Sequence, residues 1–273
     1  MRHQSPWGYA ASTGRRQIAF WTQAAPRVVD FVFPPRCPLT DAMVWANGTV
    51  AAHQWPALHL FAAPWCPKCG YPFAEEGEAD LLCASCAAGP SHGENLTAKG
   101  RLDRVRSAAA YDDALAPAIL KLKYGDRLDT AEFLAGLMAQ AGGDLWCSSD
   151  PLIVPVPLHP AKLRKRRFNQ AMVLAQALAT RTGHAVTSRA LLRHRDTGTQ
   201  QGKSASGRHR NVAGAFSVGD ERWVRGRDIV LIDDVLTTGA TLLACARTLR
   251  RGGARSVFAL TVARVVKTDT IAI

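Results

Sequence analysis

What the 273-residue sequence lacks narrows its function first. No apolar run approaches the about 20 residues needed to cross a bilayer, so membrane insertion is not expected. Residues Met1 to Gln23 contain no signal-peptide hydrophobic region, and the expectation is a soluble cytoplasmic protein. The absence of any G-x-x-x-x-G-K-[ST] excludes a P-loop nucleotide hydrolase, and the absence of D-x-D argues against the phosphatases that use it. Acidic residues are also in short supply. Asp and Glu number 22 against 34 Lys and Arg, a net charge of +12.

That imbalance is local. Residues 1–100 carry seven residues of each sign, whereas residues 101–273 carry 27 basic against 15 acidic. The whole excess therefore falls in the second part of the chain, a field suited to a polyanionic small molecule or a nucleic acid. A solvated basic surface is the plainer alternative.

The most informative stretch lies in that part. Ile229 to Ile232 is an uninterrupted apolar run, the pattern of a central parallel strand covered on both faces. Asp233 and Asp234 follow at its carboxyl end, where open α/β sheets bind ligands. The small-residue turn Thr237-Thr238-Gly239-Ala240-Thr241 then leads into a helix with Leu242, Cys245, Ala246 and Leu249 on one face, stopped by Gly252-Gly253. Free amides at a helix start suit a phosphate, and two carboxylates beside it would accept hydrogen bonds from vicinal hydroxyls. Together they imply a ribose 5-phosphate. The strand also resembles a Walker B strand, which the missing P-loop sets aside, and simple helix-capping acids are the competing reading.

Five of the seven cysteines fall between residues 37 and 86. Cys66-Pro-Lys-Cys69 and Cys83-Ala-Ser-Cys86 are two C-x-x-C turns, a spacing that makes a closed structural zinc site. With no secretion signal, metal is favoured over disulfide, reduced core cysteines being the alternative. Cys37 lacks a partner at that spacing because Thr40 occupies it, while Cys147 and Cys245 read as lone buried thiols. Trp7, Trp21, Trp45, Trp55 and Trp65 precede Cys66 and are expected to complete a thin core or dock on the rest of the chain, a nucleic-acid stacking platform being the alternative.

Boundaries follow from these patterns. Residues 1–25 read as poorly ordered, residues 26–98 as a zinc-ribbon domain and residues 99–273 as an α/β domain. Ala25 to Phe33 reads as a short helix ended by Pro34-Pro35. Strands are expected at Val105 to Tyr111, Leu152 to Val156, Val186 to Arg193, Val212 to Val218 and Arg255 to Arg264, with helices at Asp113 to Tyr124 and Asp129 to Ala141. Lys162, Arg164, Lys165, Arg166 and Arg167 crowd what reads as a loop between a strand and a helix, where like charges repel unless an anion sits among them. Arg195 to Asn211 has almost no apolar residue and reads as a mobile loop or lid.

Asp233-Asp234 with Thr237 to Thr241 resembles the phosphoribosyl-pyrophosphate (PRPP) motif of type I phosphoribosyltransferases. Further stretches resemble the competence protein F (ComF) family in order: Leu120 to Gly125, Val154 to Pro160 with His159, Arg166 to Gln170, Gln200 to Gly202, Arg208 to Asn211 and Gly214 to Phe216. The cysteine region and Phe33 to Cys37 resemble that family's double zinc ribbon, with the first ribbon degenerate. Lys203 stands where the family usually has an apolar residue. The resemblance implies a doubly wound, mostly parallel sheet of the type I phosphoribosyltransferase kind behind a zinc-ribbon domain. By it, Asp233 and Asp234 would orient a ribose, Thr237 to Thr241 would hold its 5′-phosphate, and His159 with the 162–167 cluster would receive pyrophosphate. Gln200, Arg208 and Asn211 would belong to a lid, and Cys66, Cys69, Cys83 and Cys86 would bind zinc. It also implies magnesium with PRPP, and a link to DNA uptake, through either phosphoribosyl transfer or non-catalytic binding of single-stranded DNA or a helicase-type competence protein.

Overall fold

A computed structural model describes residues 34–73, 81–88, 95–98, 101–124, 127, 129–146, 150–195 and 214–266. The expected helix over Ala25 to Phe33, the lid residues Gln200, Arg208 and Asn211, and Trp7, Trp21 and Cys147 lie outside them.

Four parallel strands form the central sheet: β1 (Arg104–Ala110), β2 (Leu152–Pro155), β5 (Asp228–Leu236) and β6 (Ser256–Arg264), in the order β1-β6-β5-β2. Two short strands, β3 (Leu191–Arg193) and β4 (Phe216–Val218), pair antiparallel beside it. The apolar run Ile229 to Ile232 is wholly buried in β5, as a strand covered on both faces must be.

Helices cover those faces. On one side lie α2 (Ala116–Tyr124), α3 (Thr130–Ala141) and α6 (Gln170–Thr182), joined in one apolar core with Ile153, Val230 and Ile232. On the other lies α7 (Ala240–Arg251), packed with the β3–β4 hairpin, Leu231 and Ala259. Short helices α1 (Ala84–Ala87), α4 (Gly143–Trp146) and α5 (Pro160–Arg166) complete the set. The expected order of strands and helices is present, with shorter ends. Val186 contributes only an isolated parallel bridge to Ile153, so the strand expected over Val186 to Arg193 shrinks to β3.

One element differs in kind. The cationic run expected as a loop is largely the helix α5, begun by His159, whose ring accepts from the Ala161 amide at 3.3 Å, with Pro160 in the first turn. It ends at Arg167, left-handed with φ 65°. Charge repulsion had argued for a loop, but a two-turn helix disperses its cations around the axis.

The cysteine region is laid on the sheet edge. Phe61 and Ala110 amides donate to Ala108 and His59 carbonyls, both at 2.9 Å, covering the free edge of β1. Arg106, almost wholly buried, donates to the Pro67 carbonyl at 2.9 Å and pairs with Asp144 at 2.6 Å. Of the early tryptophans, Trp65 lies beneath the Arg106 guanidinium and Trp55 meets Phe133 edge-on at 6.0 Å. Trp45 departs from the expected core role, being 87% exposed.

Candidate functional site

The acid pair sits at the carboxyl end of β5, but still within its hydrogen-bonded register, Asp233 opposite Thr261 of β6. Asp234 is buried, and its Oδ2 lies 2.8 Å from Lys123 Nζ, delivered by the last turn of α2. Burial alone would lower the Lys123 pKa, but the Asp234 charge and hydrogen bond outweigh it and raise it. Asp233 is pushed up to about 7, by burial first and by the Asp234 charge second, while Lys123 and Arg193 pull the other way. The acid pair is thus bonded to one cation, Lys123 of α2, and lies in the field of a second, Arg193 of β3.

Thr237, Thr238 and Gly239 make the turn after β5, and Ala240 and Thr241 open α7. Gly239 is left-handed at φ 71° and caps the helix without any side-chain bond to its first amides. A Cβ there would come within 2.3 Å of Leu96 Cδ2, so Leu96 is packed directly on the turn's backbone. Thr237 stays exposed and Thr238 and Thr241 partly so, leaving the hydroxyl side of the turn accessible.

The basic helix reaches the same crevice. Arg166 Nη2 donates to Tyr124 Oη at 3.0 Å, with the guanidinium 5.0 Å from the ring centre, and Tyr124 adjoins Lys123 in sequence. Arg164 and Arg167 are exposed, and Lys162 lies on the same helix. Asn169 plays a different part. Its Oδ1 accepts from the Ala171 amide and its Nδ2 donates to the Val156 carbonyl, each at 3.0 Å, tying the start of α6 to the end of β2.

Sequence reasoning assigned no role to Lys123, Tyr124, Arg193 or Leu96. Lys123 fell within the Leu120 to Gly125 stretch, but a lysine at a helix end reads as solvated until the tertiary structure turns it inward. Cys245 is buried as expected, and burial followed by the Asp233 charge pushes its thiol up.

The four ligand-spaced cysteines converge. One sulfur from each of Cys66, Cys69, Cys83 and Cys86 lies within 4.8 Å of the others, and the Cys69 and Cys83 sulfurs are 3.5 Å apart. Sulfurs bound tetrahedrally at about 2.3 Å from zinc would sit about 3.8 Å from one another, so the donor set fits the ion. Within the cluster the Cys66 thiol is pushed down by hydrogen bonds from Cys69 and Cys86, while Cys69 and Cys86 are pushed up by Cys66, so these sulfurs share protons that a metal ion would displace. The knuckle is anchored to the sheet: Val105 N–H donates to the Lys68 carbonyl at 2.9 Å and Arg264 Nη1 to the Cys69 carbonyl at 2.7 Å.

An echo of that turn precedes it. The Cys37 amide donates to Ala42 and the Asp41 amide to Cys37, matching Cys66 to Tyr71 and Gly70 to Cys66. Asp41 occupies the left-handed position at φ 61° where Gly70 has φ 64°. Burial would raise the Cys37 pKa, but hydrogen bonds from the Ala51 backbone and from Thr40 prevail and lower it.

Comparison with known proteins agrees with this geometry. Residues 28–87 match the double zinc ribbon domain model and residues 169–269 the phosphoribosyl transferase domain model. "DNA utilization protein YhgH" of Salmonella typhi is 35% identical over 196 residues, 70% of this chain and 80% of that one. The chain belongs to the ComF family. "Competence protein F" of Haemophilus influenzae is 28% identical over 71% of this chain and 82% of its own length. "Competence protein ComFC" of Bacillus subtilis is 26% identical over 73% and 77% respectively. In this ComF protein the Cys66, Cys69, Cys83 and Cys86 cluster lies within the double zinc ribbon and fits a structural zinc ion, and the parallel sheet is that of the phosphoribosyltransferase fold.

Proposed function

We propose that this ComF protein binds PRPP or a related ribose 5-phosphate ligand at the carboxyl end of β5. The observation that carries the reading is the acid pair Asp233-Asp234, partly neutralised by Lys123, standing one turn before a left-handed Gly239 and an uncapped start of α7. The partly exposed Asp233 carboxylate at that place suits a ribose hydroxyl, with the buried Asp234 fixing the strand end beside it, and free amides with the hydroxyls of Thr237, Thr238 and Thr241 suit a phosphate. The Arg166 end of α5, linked to Lys123 through Tyr124, suits a pyrophosphate that arrives with magnesium. If turnover follows, the bond from C1 of the ribose to pyrophosphate breaks and a nucleophile adds at C1. Charge placement by the acids and cations then supplies the stabilisation.

Thermal-shift titration with PRPP, with and without magnesium, tests the reading. A concentration-dependent rise in melting temperature, lost in Asp233→Asn, supports it, and no rise at millimolar PRPP sinks it.

The names of the relatives, with their DNA utilization and competence, support a role beside DNA, and one observation favours direct contact with a single strand. Tyr124 is 66% exposed beneath the Arg166 guanidinium, near the exposed Arg164 and Arg167, an arrangement on which unpaired bases stack. In that second reading the chain is a non-catalytic accessory that handles single-stranded DNA or docks a helicase-type competence protein. Steep salt dependence of oligonucleotide binding, flattened by neutralising Arg164 and Arg167, is its signature.

A further inference from the structure

The zinc ribbon and the turn proposed to hold a phosphate are joined by a four-residue segment, Asn95 to Ala98, whose middle residues touch both. Leu96 is 4% exposed and its Cδ2 meets the backbone of Gly239 so closely that no side chain larger than hydrogen fits there. The next residue, Thr97, places its Oγ1 3.4 Å from the Sγ of Cys86, a zinc ligand. The segment is stiff. Asn95, 3% exposed, accepts through Oδ1 from the Thr97 amide at 3.0 Å and the Thr97 hydroxyl at 3.3 Å. Leu102 N–H donates to the Leu96 carbonyl at 3.2 Å, and Arg101 Nη1 bonds the Asn95 carbonyl.

We propose that Leu96 and Thr97 form a strut that makes the shape of the Thr237 to Thr241 turn depend on zinc in the ribbon. The regulation deepens the phosphate-site reading above and rests on it only for its consequence, not for the coupling itself. With zinc bound, the turn that carries Cys86 would be clamped, and Thr97, whose hydroxyl donates to Asn95 and rests 3.4 Å from the Cys86 sulfur, would pack against a fixed neighbour. That contact fixes Thr97, and Thr97 fixes its neighbour Leu96 against Gly239. Gly239 needs the support, because its left-handed backbone has no side chain of its own to pack. Without zinc the Cys83 to Cys86 turn loses its clamp, and Leu96 can withdraw. The turn then samples other conformations and its amides no longer converge on an anion. Coupling of this kind is reciprocal, so a phosphate ligand that orders the turn must tighten zinc by the same factor.

Hydrogen exchange on the full chain tests the strut without any ligand. Thr97→Val keeps all four zinc ligands and removes the hydroxyl, with both its contact to Cys86 and its bond to Asn95. It is expected to speed exchange of the 240–243 amides roughly tenfold, the worth of one lost hydrogen bond and the packing it held. Amides of β6 should not change, and zinc content by atomic absorption should stay at one per chain. Chelation of the wild type should act in the same direction and more strongly. Unchanged 240–243 exchange in Thr97→Val overturns the proposal, as does a rise spread evenly over β6. A second arm measures zinc affinity by chelator competition with and without ribose 5-phosphate. Tightening in the wild type that vanishes in Leu96→Ala supports the strut. If exchange responds to Thr97→Val but ribose 5-phosphate never shifts the melting point, the coupling stands and the phosphoribosyl reading falls.

Discussion

Lys123 Nζ and Asp234 Oδ2 lie 2.8 Å apart with both side chains largely withdrawn from water, and this ion pair joins the end of α2 to the end of β5. Neither group is stable there alone. Replacing Lys123 by Met leaves a buried carboxylate without its cation, which costs about 3 to 5 kcal/mol. Chemical denaturation should show that loss, and the Lys123→Met/Asp234→Leu pair should recover most of it. Equal stability of the single variant and the wild type would mean that the pair contributes nothing.

Asp233 makes stability depend on pH in an unusual direction. Its pKa rises from 3.8 to about 7 on folding, so between those values the folded chain binds the proton and the unfolded chain has released it. The contribution is full below pH 3.8 and is lost as pH rises through about 7. Because other acids titrate too, the quantity to follow is the stability of wild type minus that of Asp233→Asn. It should fall between pH 5 and pH 8 by on the order of 2 to 3 kcal/mol, and a flat difference would contradict a raised Asp233 pKa.

Gly239→Ala forces a methyl group to within 2.3 Å of Leu96 Cδ2 at a backbone with φ 71°. Strain and overpacking together should destabilise by roughly 2 to 4 kcal/mol. Adding Leu96→Ala should relieve the clash but not the strain, recovering part of the melting temperature. A fully additive pair would show that the two residues do not touch.

Removing a zinc ligand tests the ribbon. Cys83→Ser should lower zinc affinity by orders of magnitude and expose the knuckle that Arg106 and Arg264 hold on the sheet. Limited proteolysis should then cut within residues 66–88 before the sheet, whereas simultaneous loss of both regions would make them one cooperative unit.

Asp41 offers a milder case. It pairs with Lys121 at 2.8 Å and Arg127 at 2.9 Å, but it is half exposed, so water screens both bonds. Asp41→Asn, which tolerates the left-handed backbone, should cost only about 0.5 to 1 kcal/mol.

The sequence alone determined the framework. Ile229 to Ile232 could only be a covered central strand, because four consecutive apolar residues have no solvent face. Gly239 and Gly252-Gly253 bounded α7 for reasons internal to the backbone. Two C-x-x-C turns declared their chemistry because metal ligation needs sulfur at short, fixed spacing. Local charge counting misled at α5, where helix geometry spreads cations that a one-dimensional reading piles together, and residue type misled at Trp45, whose apolar surface says nothing of whether the fold covers it. What only the tertiary structure decided were the meetings across distance: Lys123 with Asp234, Arg166 with Tyr124, and Leu96 with Gly239. Pairing of residues scores to more than a hundred positions apart depends on strand order and on which face each helix presents. Those follow from the whole core closing at once, and no local pattern of residues encodes them.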